Sequence, residues 1–310
     1  RSAAAGDDHE PFGDHEWLES APGDVHGITS FLARDASGSA PVGYAQVQSS
    51  RGSFAVEVVV EPGWRDPALG VASSLLRAAL DDVSRKGGGP VQWWVNRPGP
   101  AEDRLAHGAG LDDARDLYQM RRPLPVEAPV AGREPPLATR RFVPGRDEEA
   151  FLRVNNRAFS WHPEQGGWDL ATLLGREQET WFDPAGFLLH EREGKLAGFC
   201  WTKVHADEHP PLGEIYVIAV DPDFQGLGLG RRLVLAGLSH LADAGLTVGM
   251  LYVDAGNVAA VHLYEKLGFG VHHVDRAYSG KAPAAPAGGG RSGPSGPQAM
   301  PETPTAVPIE

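Results

Sequence analysis

The sequence predicts two tandem α/β domains, each a mixed sheet flanked by helices, and three observations carry that expectation. The first is an internal repeat: "VVVEPGWRDPALGVASSLLRAAL" (Val58 to Leu80) resembles "VIAVDPDFQGLGLGRRLVLAGL" (Val217 to Leu238). Side by side, Pro62 falls on Pro222, Gly70 on Gly230 and Leu75 on Leu235, while Gly43 matches Gly198 upstream and Gly110 matches Gly268 downstream. Blocks that recur in one order at similar spacing indicate duplication of a whole domain, not a short solenoid repeat. The second observation is the alternation of runs rich in Val, Ile and aromatics with helical periods, which reads as a mixed sheet with helices. The third is "RRPLPVEAPVAGREPPLATRR", Pro-rich and aperiodic, between the copies.

The elements follow in the same order in each copy. A strand ("GYAQVQS"; "LAGFCWTKV") leads to a more apolar one ("FAVEVVV"; "EIYVIAV"). A turn containing Pro precedes an amphipathic helix ("ASSLLRAALDDVSRK"; "GRRLVLAGLSHLADAG"), then a third strand ("VQWWV"; "GMLYVD") and a short helix ("PAEDRLAHGAG"; "NVAAVHLYEKLG"). The expected organisation is a first domain over 1–122, a linker over 123–139, a second domain over 140–278 and a tail over 279–310. The tail is Ala, Gly, Pro and Ser, too poor in apolar surface to offset its ordering entropy, so disorder is expected there.

Composition narrows the partners. The chain has 310 residues and a net charge of −13, with 28 basic against 41 acidic side chains. No basic stripe suited to a nucleic acid occurs, and the acidic surface reads as a solubility feature. No apolar run approaches the ~20 residues that span a bilayer. The start "RSAAAGDDHE" lacks the order of a signal peptide and an initiator Met, so a truncated or processed end is expected. Cys200 is the only cysteine, which excludes an intrachain disulfide and a Cys-based zinc site. The His residues show no ligand spacing on one helix face, so no metal is expected. A cytoplasmic chain is the reading these features support, and a monomer is expected.

The stretch "DFQGLGLGRRL" from Asp223 to Leu233 poses the functional question. A dinucleotide fingerprint needs a third glycine where Arg231 stands, and no G-K-[ST] ends the loop, so two nucleotide motifs are excluded. What remains is a strand, an Asp-Pro turn, Gln225 and glycines at 226, 228 and 230 that open a helix. Backbone N–H groups at such a helix start bind phosphate without a side-chain base, and glycine lets the ligand approach closely. A tight strand-to-helix turn is the bland alternative for the loop taken alone.

The loop together with "NVAAVHLYEKLGF" resembles the GNAT superfamily of N-acetyltransferases, whose Q/R-x-x-G-x-G/A loop holds the pyrophosphate of acetyl-CoA. The N-x-x-A-x-x-x-Y-x-x-x-G-F pattern is met in full by Asn257, Ala260, Tyr264, Gly268 and Phe269. "LRVNNRAFSWHPEQGGWDL", "WFDPAGFLL", "GFCWTKVH" and "LGEIYVIAVDPDFQGLGLG" are similar, more narrowly, to the mycothiol acetyltransferase (mycothiol synthase) family of actinobacteria, which are tandem GNAT proteins. The resemblance runs from about Phe12 to Tyr278. It implies two GNAT-type acyl-CoA N-acyltransferase folds, each with a mostly antiparallel sheet. It also implies acetyl transfer from acetyl-CoA to the cysteinyl amine of Cys-GlcN-inositol by direct attack on the thioester.

Carried over by position, the resemblance implies acceptor contacts at Glu164, Lys203, Glu214 and Tyr252, with a first-domain acidic contact at Asp14 or, alternatively, Glu16. Acetyl-CoA contacts are implied at Ile218, Ala219 and Val220; at Gln225, Gly226, Leu227, Gly228, Leu229, Gly230 and Arg231; and at Asn257, Val258, Ala259, Ala260, Val261 and His262. Val58, Val59 and Val60 form the matching strand of the first domain. Cys200 departs from the family's pattern, where a His is expected. Glu214 is expected as general base, against a solvated strand-end charge. Tyr264, with an ordinary phenol pKa of ~10, is expected as general acid to the thiolate, against plain helix packing. Trp161, Trp168 and Trp181 read as core more than as a sugar platform.

The repeat adds an expectation of its own. Opposite Gln225 to Gly228 the first copy has Arg65, Asp66, Pro67 and Ala68, and it has Ala106 for Tyr264 and Phe54 for Glu214. A carboxylate and a missing N–H donor oppose phosphate binding, so the first copy is expected to be catalytically silent. Two alternatives stay open from the residues: a GNAT enzyme for another amine (a protein N-terminus or an aminoglycoside), or a non-catalytic acetyl-CoA-binding regulator.

Overall fold

In the computed structural model, residues 27–38, 40–50, 53–132, 135–160, 165–285 and 307–309 are described. They form two compact units, one comprising Arg1–Asp116 with Val274–Glu310 and the other Leu117–His273. In chain order the elements are β1 (Ile28–Arg34), β2 (Pro41–Ser50), β3 (Ser53–Val60), α1 (Val71–Arg85), β4 (Gly89–Asn96), α2 (Pro100–Gly108) and β5 (Leu111–Pro123). There follow β6 (Arg140–Arg141), α3 (Glu148–Ala158), α4 (Leu170–Glu177), β7 (Phe187–Arg192), β8 (Lys195–His205) and β9 (Leu212–Val220). The last are α5 (Leu229–Asp243), β10 (Val248–Asp254), α6 (Val258–Lys266), β11 (Gly270–Ala282) and β12 (Val307–Ile309).

The unit boundaries cut across the repeat. In the first unit β1, β2 and β3 run antiparallel, β4 joins β3 in parallel, and β11 from the second copy pairs with β4 from Asp275↔Asn96 to Ala282↔Gly89. In the second unit β7, β8 and β9 are antiparallel, β10 joins β9 in parallel, and β5 from the first copy pairs with β10 from Leu117↔Asp254 to Pro123↔Val248. Each unit is thus completed by the other copy's last strand, which supplies partners to backbone groups that β4 and β10 would otherwise leave unpaired. Periodicity cannot reveal this exchange, because it depends on which edge a strand meets. Tyr278 accordingly lies fully buried in the first unit's core with Phe31, Leu75, Leu76 and Trp93. Strand β11 also runs to Ala282, past the point where the tail is expected to begin.

The second unit has a core on each face of its sheet. Leu233, Val234, Leu238 and Leu241 of α5 pack on one face with Leu251, Tyr264 and Phe269. Phe142, Phe151, Leu173, Phe187, Phe199 and Trp201 fill the other, where Phe187 stacks on Phe142 and on Trp201 at 4.4 Å each. Each such fully buried apolar side chain stabilises by roughly 1.5–3 kcal/mol. The Pro-rich stretch expected as a linker is packed here too: Leu124, Val126, Val130 and Leu137 join the α5 core.

The helix faces correct the repeat's register. Buried positions of α1 are Val71, Leu75, Leu76, Ala79 and Val83, and those of α5 are Leu229, Leu233, Val234, Gly237 and Leu241. Leu75 therefore corresponds to Leu233, not Leu235, and Gly70 to Gly228, not Gly230, since each glycine is the N-cap. The first copy has two extra residues in its loop, wound into a second 3₁₀ turn over Pro67–Leu69.

Candidate active site

The second unit's sheet opens in its middle. Strands β9 and β10 pair only at Leu212↔Val248, Gly213↔Gly249 and Glu214↔Met250. Beyond Glu214, β9 keeps β8 on one side, up to Val220↔Gly198, and loses β10 on the other. Between Trp201↔Val217 and Thr202↔Ile215 the register shifts, leaving Tyr216 as an extra residue. Such a bulge bends and twists a strand. Glu214 therefore sits where the two strands part, and Ile218, Ala219 and Val220 run along the freed edge.

The glycine loop follows that edge. Asp221 caps a 3₁₀ turn over Pro222–Phe224, its carboxylate accepting from Asp223 N–H at 3.0 Å. Arg157 at the end of α3 holds the turn from outside, donating to Asp221 at 3.0 Å and to Asp223 at 2.8 Å. That guanidinium lowers the Asp223 carboxyl below its ordinary range. Gly226 and Gly228 then take φ of +78° and +70°, a region costly for side chains with a Cβ. The first backbone bond of α5 is Arg232 N–H to Gly228 O at 3.4 Å. The N–H groups of Gly226, Leu227, Gly228, Leu229 and Gly230 make no hydrogen bond among the described residues. Five unpartnered donors at and just ahead of a helix N-terminus are able to receive an anion. Arg231 donates to Val130 O at 2.6 Å, so the packed Pro-rich stretch borders this loop.

Glu214 is buried, and directly opposite it across the strands is Lys203, also buried. The Lys203 ammonium lies 4.7 Å from the Trp181 ring and 5.8 Å from that of Tyr216, over aromatic faces that favour a cation. His205 Nε2 is 2.7 Å from Glu214 Oε2. On β10, Tyr252 OH accepts from Gln119 Nε2 at 2.8 Å, and Gln119 is held by Arg121 at 2.7 Å. Asn257 caps α6, its Oδ1 accepting from Ala260 N–H at 3.2 Å, while Val258, Ala259 and His262 are exposed and Val261 is half-buried. Tyr264 on the inner side of α6 packs edge-on to Phe269, and burial pushes its phenol up to about 12.

Cys200 lies on the opposite face from Lys203. It is wholly buried under α5, where a Cβ on Gly237 would stand 2.6 Å from its Sγ. The departure from the family's His is thus a packing feature beneath the helix. Of the tryptophans, Trp168 packs on Phe151 and under Arg176, Trp181 lies on Trp201 and Tyr216, and Trp161 is outside the described residues. Asp14, Glu16 and Glu164 also lie outside them.

A model of the acetyltransferase (GNAT) family matches residues 153–269, the span that holds the open strand, the loop and Tyr264. The mycothiol acetyltransferase of Acidimicrobium ferrooxidans is 43% identical over 293 residues, covering 92% of this chain and 93% of that protein. The chain belongs to the mycothiol acetyltransferase family. A GCN5-related N-acetyltransferase from Sphaerobacter thermophilus has the same fold, with a TM-score of 0.70 at 23% identity over 92% of this chain and 91% of that one. A tandem GNAT protein from the clavulanic acid pathway gives 0.61 at 17% identity over 84% of each chain. Both units are therefore GNAT folds in tandem, and the enzyme is an acetyltransferase of a family that uses acetyl-CoA. No described helix is long and apolar enough to cross a membrane.

Three residues at this mycothiol acetyltransferase site carry no sequence-based expectation: His205, Arg157 and Gln119. "WTKVH" does hold a signal for the first, since alternate residues of a strand share a face and His205 follows Lys203 by two. Arg157 and Gln119 meet partners far along the chain, and no local pattern marks them.

Proposed function

We propose that the second unit transfers the acetyl group of acetyl-CoA to the cysteinyl amine of Cys-GlcN-inositol, forming mycothiol by direct attack. The observation that carries this reading is the buried Glu214 at the point where β9 leaves β10, from which the open strand edge runs on to five N–H groups without a partner among the described residues. The pyrophosphate binds at Gly226 to Gly230, flanked by Gln225 and Arg231, and the pantetheine amides extend along Ile218 to Val220 as an added strand. Asn257 to His262 border the pantetheine on its other side. Val58 to Val60 offer a similar edge in the first unit, where β3 loses β4 beyond Val56↔Trp93.

Glu214 removes a proton from the acceptor ammonium, and the amine nitrogen then attacks the thioester carbon. As the C–N bond forms and the C–S bond breaks, Tyr264 donates its hydrogen to the departing thiolate, and the second proton lost by the amide nitrogen restores the phenol. Burial pushes the phenol up to about 12, so it holds its hydrogen until the thiolate departs. Lys203 and Tyr252 hold hydroxyls of the acceptor. No metal takes part in these steps.

Incubating the pure protein with acetyl-CoA and Cys-GlcN-inositol, followed by mass spectrometry, tests the reading. The expected result is an N-acetylated acceptor formed in step with free CoA. Preference for an aminoglycoside or a peptide N-terminus over Cys-GlcN-inositol would overturn it.

A further inference from the structure

Acetyl transfer to an ammonium leaves a proton over. The nitrogen gives up two, the thiolate takes one, and the other must reach water. Glu214 takes the first of them in the mechanism above, yet its side chain is only 7% exposed. The contact that leads outward is His205, whose side chain is 23% exposed and whose Nε2 lies 2.7 Å from Glu214 Oε2. The two meet diagonally across antiparallel strands, since Glu214 pairs with Lys203 and His205 with Leu212. Lys203, the other charged group on this face, is buried against Trp181 and its ammonium has no acceptor capacity. Of these two neighbours, His205 is the one that can accept a proton from Glu214.

We infer that His205 is the proton exit of the acetyl-transfer site and the positioning residue of Glu214, an inference that rests on Glu214 being the base. A substrate N–H bond breaks as the Glu214 O–H bond forms. That O–H bond then breaks as Nε2 gains the hydrogen, in the tautomer that carries its own hydrogen on Nδ1. The imidazolium releases its Nδ1 hydrogen to water, which leaves Nε2–H donating to the regenerated carboxylate, and tautomer exchange through water returns the hydrogen to Nδ1 before the next transfer. Between turnovers the same contact directs the other carboxylate oxygen toward the amine.

Steady-state kinetics on the full chain test this with His205→Ala, His205→Gln and Glu214→Gln. His205→Ala is expected to lower kcat roughly 10–100-fold, at or below the lower end of general acid–base effects, with the KM for acetyl-CoA little changed. Added imidazole should restore part of that rate in a saturable way, and His205→Gln, which hydrogen-bonds but carries no proton, should stay low. Wild-type kcat in His205→Ala, full activity in His205→Gln, or no response to imidazole would each overturn the exit. If Glu214→Gln is crippled while His205→Ala is not, the base assignment stands and the exit falls. An unimpaired Glu214→Gln would instead remove the base assignment itself.

Discussion

The two glycine turns of this chain begin and end alike but differ in between, where the first winds an additional 3₁₀ turn. Both follow a strand that parts from its parallel neighbour, both begin with a Pro-led 3₁₀ turn, and both enter a helix through a glycine at φ +68° (Gly70) or +70° (Gly228). In the first turn three of the donors are already occupied, while the N–H groups of Val71 and Ala72, which match Leu229 and Gly230, make no hydrogen bond among the described residues. Asp66 accepts from Ala68 N–H at 2.9 Å through its carboxylate and from Leu69 N–H at 2.9 Å through its carbonyl, while Pro67 O takes Gly70 N–H at 3.1 Å. Pro67 itself has no N–H to offer. In the second turn five N–H groups point outward without a partner. An internal carboxylate thus stands in the first unit where the second would receive a phosphate. The lesson is that a duplicated loop can withdraw N–H donors by satisfying its own backbone, here through the two-residue insertion that winds a second 3₁₀ turn.

The same contrast extends to the side chains. The ladders place Ala55, not Phe54, opposite Glu214, because Ala55 pairs with Gln48 and Gln92 as Glu214 pairs with Lys203 and Met250. The offset of one comes from the bulge at Tyr216, which the continuous β2–β3 ladder lacks. Ala106 and Tyr264 do correspond, each buried in the short helix ahead of a positive-φ glycine.

The sharpest way to break this comparison is Glu214→Gln. It should lower kcat by about 10²–10⁴-fold, the range for losing an acid–base group, with acetyl-CoA affinity retained by calorimetry. Turnover at the wild-type rate would mean that the first unit carries the reaction. Next in size is a packing difference: the second unit has Cys200 against Gly237, where the first has Ala45 and Ala79, all of them fully buried or helical. Gly237→Ala overpacks this contact and should cost about 1–3 kcal/mol in chemical denaturation. Adding Cys200→Ala should recover most of that loss, and simple additivity of the two would deny the exchange of volume.

A smaller effect separates the capping glycines. Gly228→Ala and Gly70→Ala should each destabilise by about 1–2 kcal/mol, the cost of a left-handed residue with a Cβ. Only Gly228→Ala should also raise the KM for acetyl-CoA, and equal changes in both variants would erase the distinction between the loops. The smallest signal is spectroscopic. With its phenol pushed up to about 12, Tyr264 ionises well above the ordinary range, so tyrosinate absorbance of wild type and Tyr264→Phe should superimpose to about pH 11. A difference near pH 10 would mean that the ring is solvated and the burial argument wrong.

Much of this was legible in the residues. The repeat announced two like folds, the failure of two nucleotide fingerprints left an anion loop of another kind, and Asn257 to Phe269 matched a family pattern position by position. These features are local: a turn needs its own glycines, and a helix face repeats every three to four residues, so both leave a mark in the sequence. By contrast, the exchange of β5 and β11, the register of Leu75 with Leu233, the equivalence of Ala55 with Glu214 and the His205–Glu214 contact were decided by the tertiary structure. Each depends on which strand or helix lies alongside, and hydrogen-bond ladders and packed faces join residues that the chain itself holds far apart.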